Sequence, residues 1–378
     1  LKAFDRGDDI FANAVIVGFH ADSPDPLIQI AAAVVDNLNE WCNINTITSG
    51  HSEDGRGTSA SYLQPAPLKA DEDDKMSLSI RSSLTKSHSR WRVSIANEMR
   101  FELTAKAPQP LSVFLRRFHA CQDLLSILSA AVCTLTAVRL IPAFDEKAVG
   151  EYHAVQIFRK SRDSHPSFLF QQSDVSTRLP EVFGKWLRQA ERLTAARALY
   201  MSATHGDSFL ELKVLYLAQA AEAYHRRAHS GRGLYMDPDA YKNTVLPELL
   251  KAIPSNISQD HHRSLSKRLE FGNEVSFRKR LTMLFSDHER VLSIVVPKPR
   301  QWIERIVACR NNFTHHPEVS VKPELDTMPL HQFKVILSTL LEQCFLEAMS
   351  FDAAQRWAAS ENFDRYHQLR AHFFEPEN

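Results

Sequence analysis

What the sequence lacks narrows the field first. Its five cysteines (Cys42, Cys121, Cys133, Cys309 and Cys344) are scattered and odd in number, and no CxxC pair occurs. That spacing supports neither a zinc ribbon nor a disulfide framework, and it fits a reduced, cytoplasmic compartment. No apolar run approaches the roughly 18 residues of a membrane span. Charge of one sign is missing too: Lys+Arg and Asp+Glu stand at 45 each. No global positive field therefore advertises nucleic acid, and any such contact must come from a local patch. The chain opens LKAFDRGDD, without Met or a basic-then-apolar leader, and is expected to start inside its first domain.

What is present suffices for two domains or three: 378 residues, 44% of them hydrophobic. The first hundred residues look strand-rich. IFANAVIVGFHA (10–21) and PLIQIAAAVV (26–35) are short apolar runs bounded by Asp, Ser and Pro, as buried strands are. RWRVSIANEMRFELTAK (90–106) alternates through Trp91, Val93 and Ile95, then Phe101 and Leu103 after a break, which predicts an antiparallel strand pair. Residues 48–90, rich in Ser, Gly and charge with DEDD at 71–74, are expected to form a long solvated insertion.

From residue 110 the period changes. Leu111, Phe114, Leu115, Phe118, Leu125 and Leu128 fall at helical spacing. RLIPAF and YHAVQIFRK (152–160) predict a return to strands. One helix is expected over LPEVFGKWLRQAERLTAARALYMSA, with Pro180 in its first turn and Val182, Trp186, Ala190 and Leu193 on one stripe. A boundary is placed at SATHGDS (202–208), with Asp207 capping the next helix. Further starts are predicted at Asp237-Pro238, Ser258 and Ser276, a kink at Pro247 and a stop at Gly272-Asn273. PRQWIERIVACRNN and LHQFKVILSTLLEQCFLEAMSF complete a helical bundle.

CRNNFTHHP, residues 309–317, carries the most chemistry. A chain of this composition contains about one Arg-x4-His by chance, so Arg310 and His315 gain weight only from context. Trp302, Ile303, Ile306 and Val307 form the apolar stripe of a helix leading into them, and Pro317 should end it. Asn311 and His315, four apart, then share a face. A guanidinium, an amide and an imidazole suit RNA cleavage. The 2′-OH is a nucleophile already in place, an imidazole can move its proton, and an arginine can hold the phosphate.

Here the sequence resembles the HEPN-domain ribonucleases. ERIVACRNNFTHH is similar to their motif helix, in which an Arg and a polar residue precede a His. LYLAQAAEAYHRR (215–227) and FGNEVSFRKRLTMLF (271–285) resemble two further helices of the Apea-like HEPN subfamily. VIVGFHADSPDPLIQIAAAVVDNLNEW resembles the strand-rich domain that precedes HEPN in ApeA-type anti-phage proteins, although the family has more strands ahead of it. The resemblance implies an α+β protein: an N-terminal domain over 1–202, strand-rich to about 106 and then mixed, and an all-α bundle over 203–378. It implies a metal-independent endoribonuclease without cofactor, acting on host RNA such as tRNA as a homodimer, with a phage-derived trigger and an abortive-infection role. Arg310, Asn311 and His315 match the catalytic positions. Asn312, Thr314, His316 and Glu222 are possible supporting residues, His316 being the alternative imidazole.

Arg305, His225, Arg226 and Arg227 are candidate RNA contacts, against the plainer reading that cations favour helix C-termini. His261, His262, Arg263, Lys267 and Arg268 read as a solvated face. A zinc site at His315 and His316 lacks cysteine partners and an HExxH, and Cys309 should be buried and inert. Two rival functions stand beside the nuclease: a non-catalytic dimerisation or RNA-binding module, and the toxin of a toxin–antitoxin pair.

Overall fold

The structure is a computed structural model, and it describes residues 4–6, 9–11, 14–21, 23–51, 58–90, 92–154, 166–315 and 329–374. The chain forms two compact units: residues 1–191 with 346–365, and residues 192–345 with 366–378. The fold is α+β, strands first and helices after.

The first unit contains β1 (Phe4–Arg6), β2 (Asp9–Phe11), β3 (Ala14–Val17), β4 (Leu27–Val35), α1 (Leu38–Cys42), β5 (Ile47–His51), β6 (Thr58–Tyr62), β7 (Leu68–Glu72) and β8 (Met76–Ser89). It continues through β9 (Arg92–Pro110), α2 (Leu111–Ser129), β10 (Leu135–Pro142), β11 (Gly150–Ala154) and most of α3 (Leu179–Arg192). Seven strands make one sheet in the order β3-β11-β10-β4-β9-β8-β7, every neighbour antiparallel, while β1-β2 and β5-β6 form separate ribbons.

Register explains the core. Leu78, Leu103 and Ala31 lie side by side across β8, β9 and β4, as do Ile80, Phe101 and Ala33, and all six are buried. Alternation puts these residues on one face, where α2 covers β9, β4 and β10. β9 and β10 both flank β4 antiparallel, so α2 is the crossover between them. Its start is fixed by Asp25, whose carboxylate accepts from the Ser112 amide and hydroxyl, each at 2.8 Å. Trp41 and Trp186 are fully buried, and their indole N–H groups donate to the Phe170 and Ala120 carbonyls at 2.9 and 2.7 Å.

Three expectations need correction here. The solvated insertion over 48–90 is, among its described residues, three strands, β6, β7 and β8, and part of a fourth. Met76, Leu78 and Ile80 alternate with serines, a period of two hidden by polar composition. The first half of DEDD is part of this sheet, Asp71 and Glu72 ending β7: Asp71 is buried beside Arg117 and Arg188, at 3.8 Å from each. Burial pushes its carboxyl up, opposed by the two guanidiniums. Gly184 of α3 allows that approach, since a Cβ there would sit 2.6 Å from the Asp71 Oδ1. Second, the predicted pair within 90–106 is the single strand β9, continuous from Arg92 across the expected break. Third, the expected helix over 179–203 is two, α3 and α4 (Thr194–His205), separated at Leu193. Trp91 and residues 155–160 lie outside the described residues.

The second unit holds α4, α5 (Leu210–Ala228), α6 (Pro238–Ala240), α7 (Leu246–Lys251), α8 (Gln259–Glu270), α9 (Phe277–Val295), α10 (Ile303–His315) and most of α11 (Leu330–Ala348). α12 (Ala353–Glu361) belongs to the first unit and all but the first two residues of α13 (Asp364–Phe374) to the second. Asp237, Ser258 and Ser276 cap α6, α8 and α9 through side-chain oxygens. Asp207 does not cap α5, whose N-cap position is Phe209. Ahead of Pro247 the helix widens into one π turn, Tyr241–Val245, the distortion expected where a proline meets the preceding turn. The bundle centre is mostly apolar; among its buried polar groups the Glu342 carboxylate accepts from Tyr200 at 3.0 Å and Tyr366 at 2.7 Å.

Leu103 sits in the middle strand of three and beneath α2. Leu103→Ala should therefore cost about 2–5 kcal/mol and lower the urea unfolding midpoint. Val17→Ala on exposed β3 should leave the midpoint almost unchanged.

Candidate functional site

α10 has two faces. Ile303, Ile306, Val307 and Cys309 are buried in the bundle, and Glu304, Arg305, Ala308, Asn311 and Thr314 are exposed. Arg310 stands at the margin, its side chain 25% exposed. Cys309 is sealed off, and burial, reinforced by Glu211, pushes its thiol up to about 12. A neutral, inaccessible thiol is no nucleophile.

The Arg310 guanidinium is held from three sides. Its Nη2 lies 3.5 Å from the Glu222 Oε2 on α5. Its Nη1 donates to the Asn311 side-chain oxygen at 3.2 Å. Its Cζ stands 5.4 Å from the centre of the Phe277 ring at the start of α9. Glu222 is shared: its Oε1 accepts from the Arg226 Nη2 at 3.1 Å and Nε at 3.3 Å. Arg226 continues to the Glu274 Oε2 at 2.5 Å, and the same oxygen lies 3.5 Å from the Arg280 Nη2. Arg280 is buried, donates to the carbonyls of Val275 and Gly233, and places its Nη1 3.2 Å from the His225 Nδ1. Charges thus alternate along Arg310, Glu222, Arg226, Glu274 and Arg280.

Of the residues singled out in the sequence, Arg310, Asn311 and Glu222 come together. Asn312 is half-buried, and the Thr314 hydroxyl turns back to the carbonyls of Arg310 and Asn311 at 3.0 and 3.1 Å. His315 is the last residue of α10, so helical backbone carries it to one turn beyond Asn311. His316 lies outside the described residues. Arg226 and Arg227 are exposed, and so is Arg305, which stacks over Trp302 at 5.1 Å. His225 was a candidate RNA contact, but it is fully buried between Arg280 and Met283 and offers RNA no surface. Its position in a basic run gave no sign of burial, although it follows Ala221 by four on the buried side of α5. Phe277, Glu274 and Arg280 were not foreseen. Phe277 meets Arg310 from another element, Glu274 and Arg280 join only through Arg226, and no spacing in one sequence encodes that. Among the described residues no group of three or more His, Cys, Asp or Glu side chains could hold a metal ion. None of the described helices is long and apolar enough to cross a membrane.

Two family models match the chain. One, Apea-like HEPN, matches residues 215–355, which include α5, α9, α10 and α11; the other, ApeA N-terminal domain 1, matches residues 2–186. The chain carries a HEPN domain, and it belongs to the ApeA-type HEPN proteins of anti-phage defence. HEPN domains are commonly ribonucleases, and they typically dimerise and bind RNA. Neither curated proteins nor solved structures yield a match.

The neighbour of this network, His225, has a predictable pH signature. Burial first, then the Arg280 charge, lowers its value from 6.5 to about 4. The unfolded chain accepts a proton near pH 6.5 that the folded chain refuses until about 4. Its stabilising contribution is therefore complete above 6.5 and lost progressively as pH falls toward 4. Thermal melts between pH 7 and 4 should show His225→Gln losing less Tm on acidification than the parent chain does.

Proposed function

We propose that this protein is a metal-independent endoribonuclease, needing no cofactor, that cuts host RNA by attack of the 2′-OH on the adjacent phosphorus. Arg310, Asn311 and His315 are its catalytic residues. The observation that carries the reading is the setting of Arg310: a guanidinium steadied by Glu222, Asn311 and Phe277, yet still partly open to solvent. A fork held this way is preorganised for a phosphate, and the ordering is complete before the reaction begins.

In the reaction one imidazole takes the 2′-OH proton as O2′ bonds to phosphorus. The bond from phosphorus to the 5′-oxygen breaks, and that oxygen receives a proton from a second acid. The products are a 2′,3′-cyclic phosphate and a 5′-hydroxyl. His315 supplies the imidazole, a group able to accept or donate the proton. Arg310 balances charge accumulating on the phosphoryl oxygens, and Glu222 is a positioning residue. Two protomers pair so that their motifs share one cleft, which gives the second acid a source. Arg226, Arg227 and Arg305, all exposed, are the contacts to the RNA backbone in this reading. In the cell the N-terminal domain, 1–202, holds the bundle, 203–378, in check in the cytoplasm. A phage-derived trigger releases it, host RNA such as tRNA is cut, and infection aborts.

Incubation with RNA in EDTA tests this. The parent chain should cleave, and Arg310→Ala and His315→Ala should each lose roughly 100-fold or more of the rate. His316→Ala should retain it, and RNA with hydrogen at the scissile 2′ position should resist. RNA bound but left intact by the parent chain would instead identify a binding module. Toxicity on expression without phage would identify a toxin freed of its antitoxin.

A further inference from the structure

A second feature of the bundle lies on α10 but away from the Glu222 network. It is a groove of about 610 Å³ whose lining includes Lys298, Gln301, Trp302, Arg305, Phe373 and Phe374. Its volume falls in the range of small-molecule sites, about 300–1,000 Å³. Among the described residues no carboxylate lines it, although acids and bases balance over the whole chain. The aromatic rings are arranged edge to face rather than sealed into the core: Trp302 meets Phe374 at 5.6 Å and 90°, and all three aromatics are only half-buried. The Arg305 guanidinium lies over Trp302, 5.1 Å from its ring. That sets a cation against the aromatic surface.

Helical register links this groove to the motif. Arg305, Ala308, Asn312 and His315 follow one another at spacings of three, four and three along α10, one stripe of the helix. Arg305 and His315 are ten residues apart, about 15 Å along the axis at 1.5 Å per residue. A few nucleotides of single strand can cover that distance.

We propose that this groove is a nucleotide subsite of the ribonuclease. It takes one base of a single RNA strand against the Arg305–Trp302 stack and the Phe373–Phe374 edge, with the flanking phosphate on Lys298. The proposal rests on the nuclease reading for its substrate. Stacking on aromatic rings and arginine planes is how unpaired bases are held, and the cations supply the sequence-independent part of the affinity. A second protein copy fits less well, because lysine is depleted at protein interfaces and enriched where phosphate is bound.

The test uses the full chain in EDTA with Arg310→Ala as background, so that RNA stays intact. A fluorescein-labelled 12-residue oligouridine is the probe, followed by anisotropy. Added Arg305→Glu should weaken binding roughly tenfold or more. Added Lys298→Gln should shift the slope of log affinity against log salt by about one counterion. Both side chains are exposed, so neither change should alter the melting temperature. Unchanged affinity in both variants, beside normal cleavage by the parent chain, overturns the subsite and leaves the nuclease standing. Weakened binding beside a parent chain that never cleaves keeps the subsite and removes the nuclease. Conversion of a dimer to a monomer by Arg305→Glu in sedimentation, with RNA affinity unchanged at saturating protein, assigns the groove to a second copy and overturns the proposal.

Discussion

A single carboxylate shared by two guanidiniums is the constraint on which the site depends. Glu222 reaches from α5 to Arg226 on its own helix and to Arg310 on α10. Only one helical turn separates Glu222 from Arg226, so that pair is set by local geometry. The Arg310 contact is different: it joins residues 88 positions apart and exists only when α5 and α10 pack. Packing of the apolar faces, Leu217, Ala221, Ile306 and Cys309 among them, thus decides where the guanidinium stands. Three arginines, Arg310, Arg226 and Arg280, share two glutamates, Glu222 and Glu274, which leaves the cluster one positive charge in excess. Neutral His225 at its buried end is consistent with this, since a fourth cation there would have no partner.

How much could be read from residues alone follows the range of each interaction. Caps at Asp237, Ser258 and Ser276 were legible because the side chain bonds to an amide three residues on. The apolar stripe of α10 was legible for the same reason. Strand β8 was not, because serines between Met76, Leu78 and Ile80 mimic a loop in composition while keeping the alternation that a sheet requires. Nor was the break at Leu193, where both flanking segments have good helical periodicity and no proline or glycine marks the join. At the site, Arg310 and Asn311 were found by motif and Glu222 by suspicion. Phe277, Glu274 and Arg280 enter through folding, and a basic run concealed that His225 points inward.

α10 presents a different chemistry on each side. Its buried side fixes the helix in the bundle and keeps Cys309 unreactive. One margin carries Arg310 into an ion network that restricts its motion, and the stripe from Arg305 toward His315 is exposed at Arg305 and Ala308 and half-buried at Asn312. A rigid cation and an accessible track on one short helix are what processing of a flexible polyanion asks for, since the reacting link must be still while the flanking strand adapts.

The route of the chain between the units has a consequence of its own. It passes from one unit to the other at 191/192, 345/346 and 365/366, and residues 346–365 return to the first unit, where Phe351 packs on Phe170 and Ser350 accepts from Arg178. Neither unit can therefore be released by severing the backbone at one place. A nick after α3 would leave two fragments still joined through that returned segment, so the helical half cannot be liberated simply by shedding what precedes it.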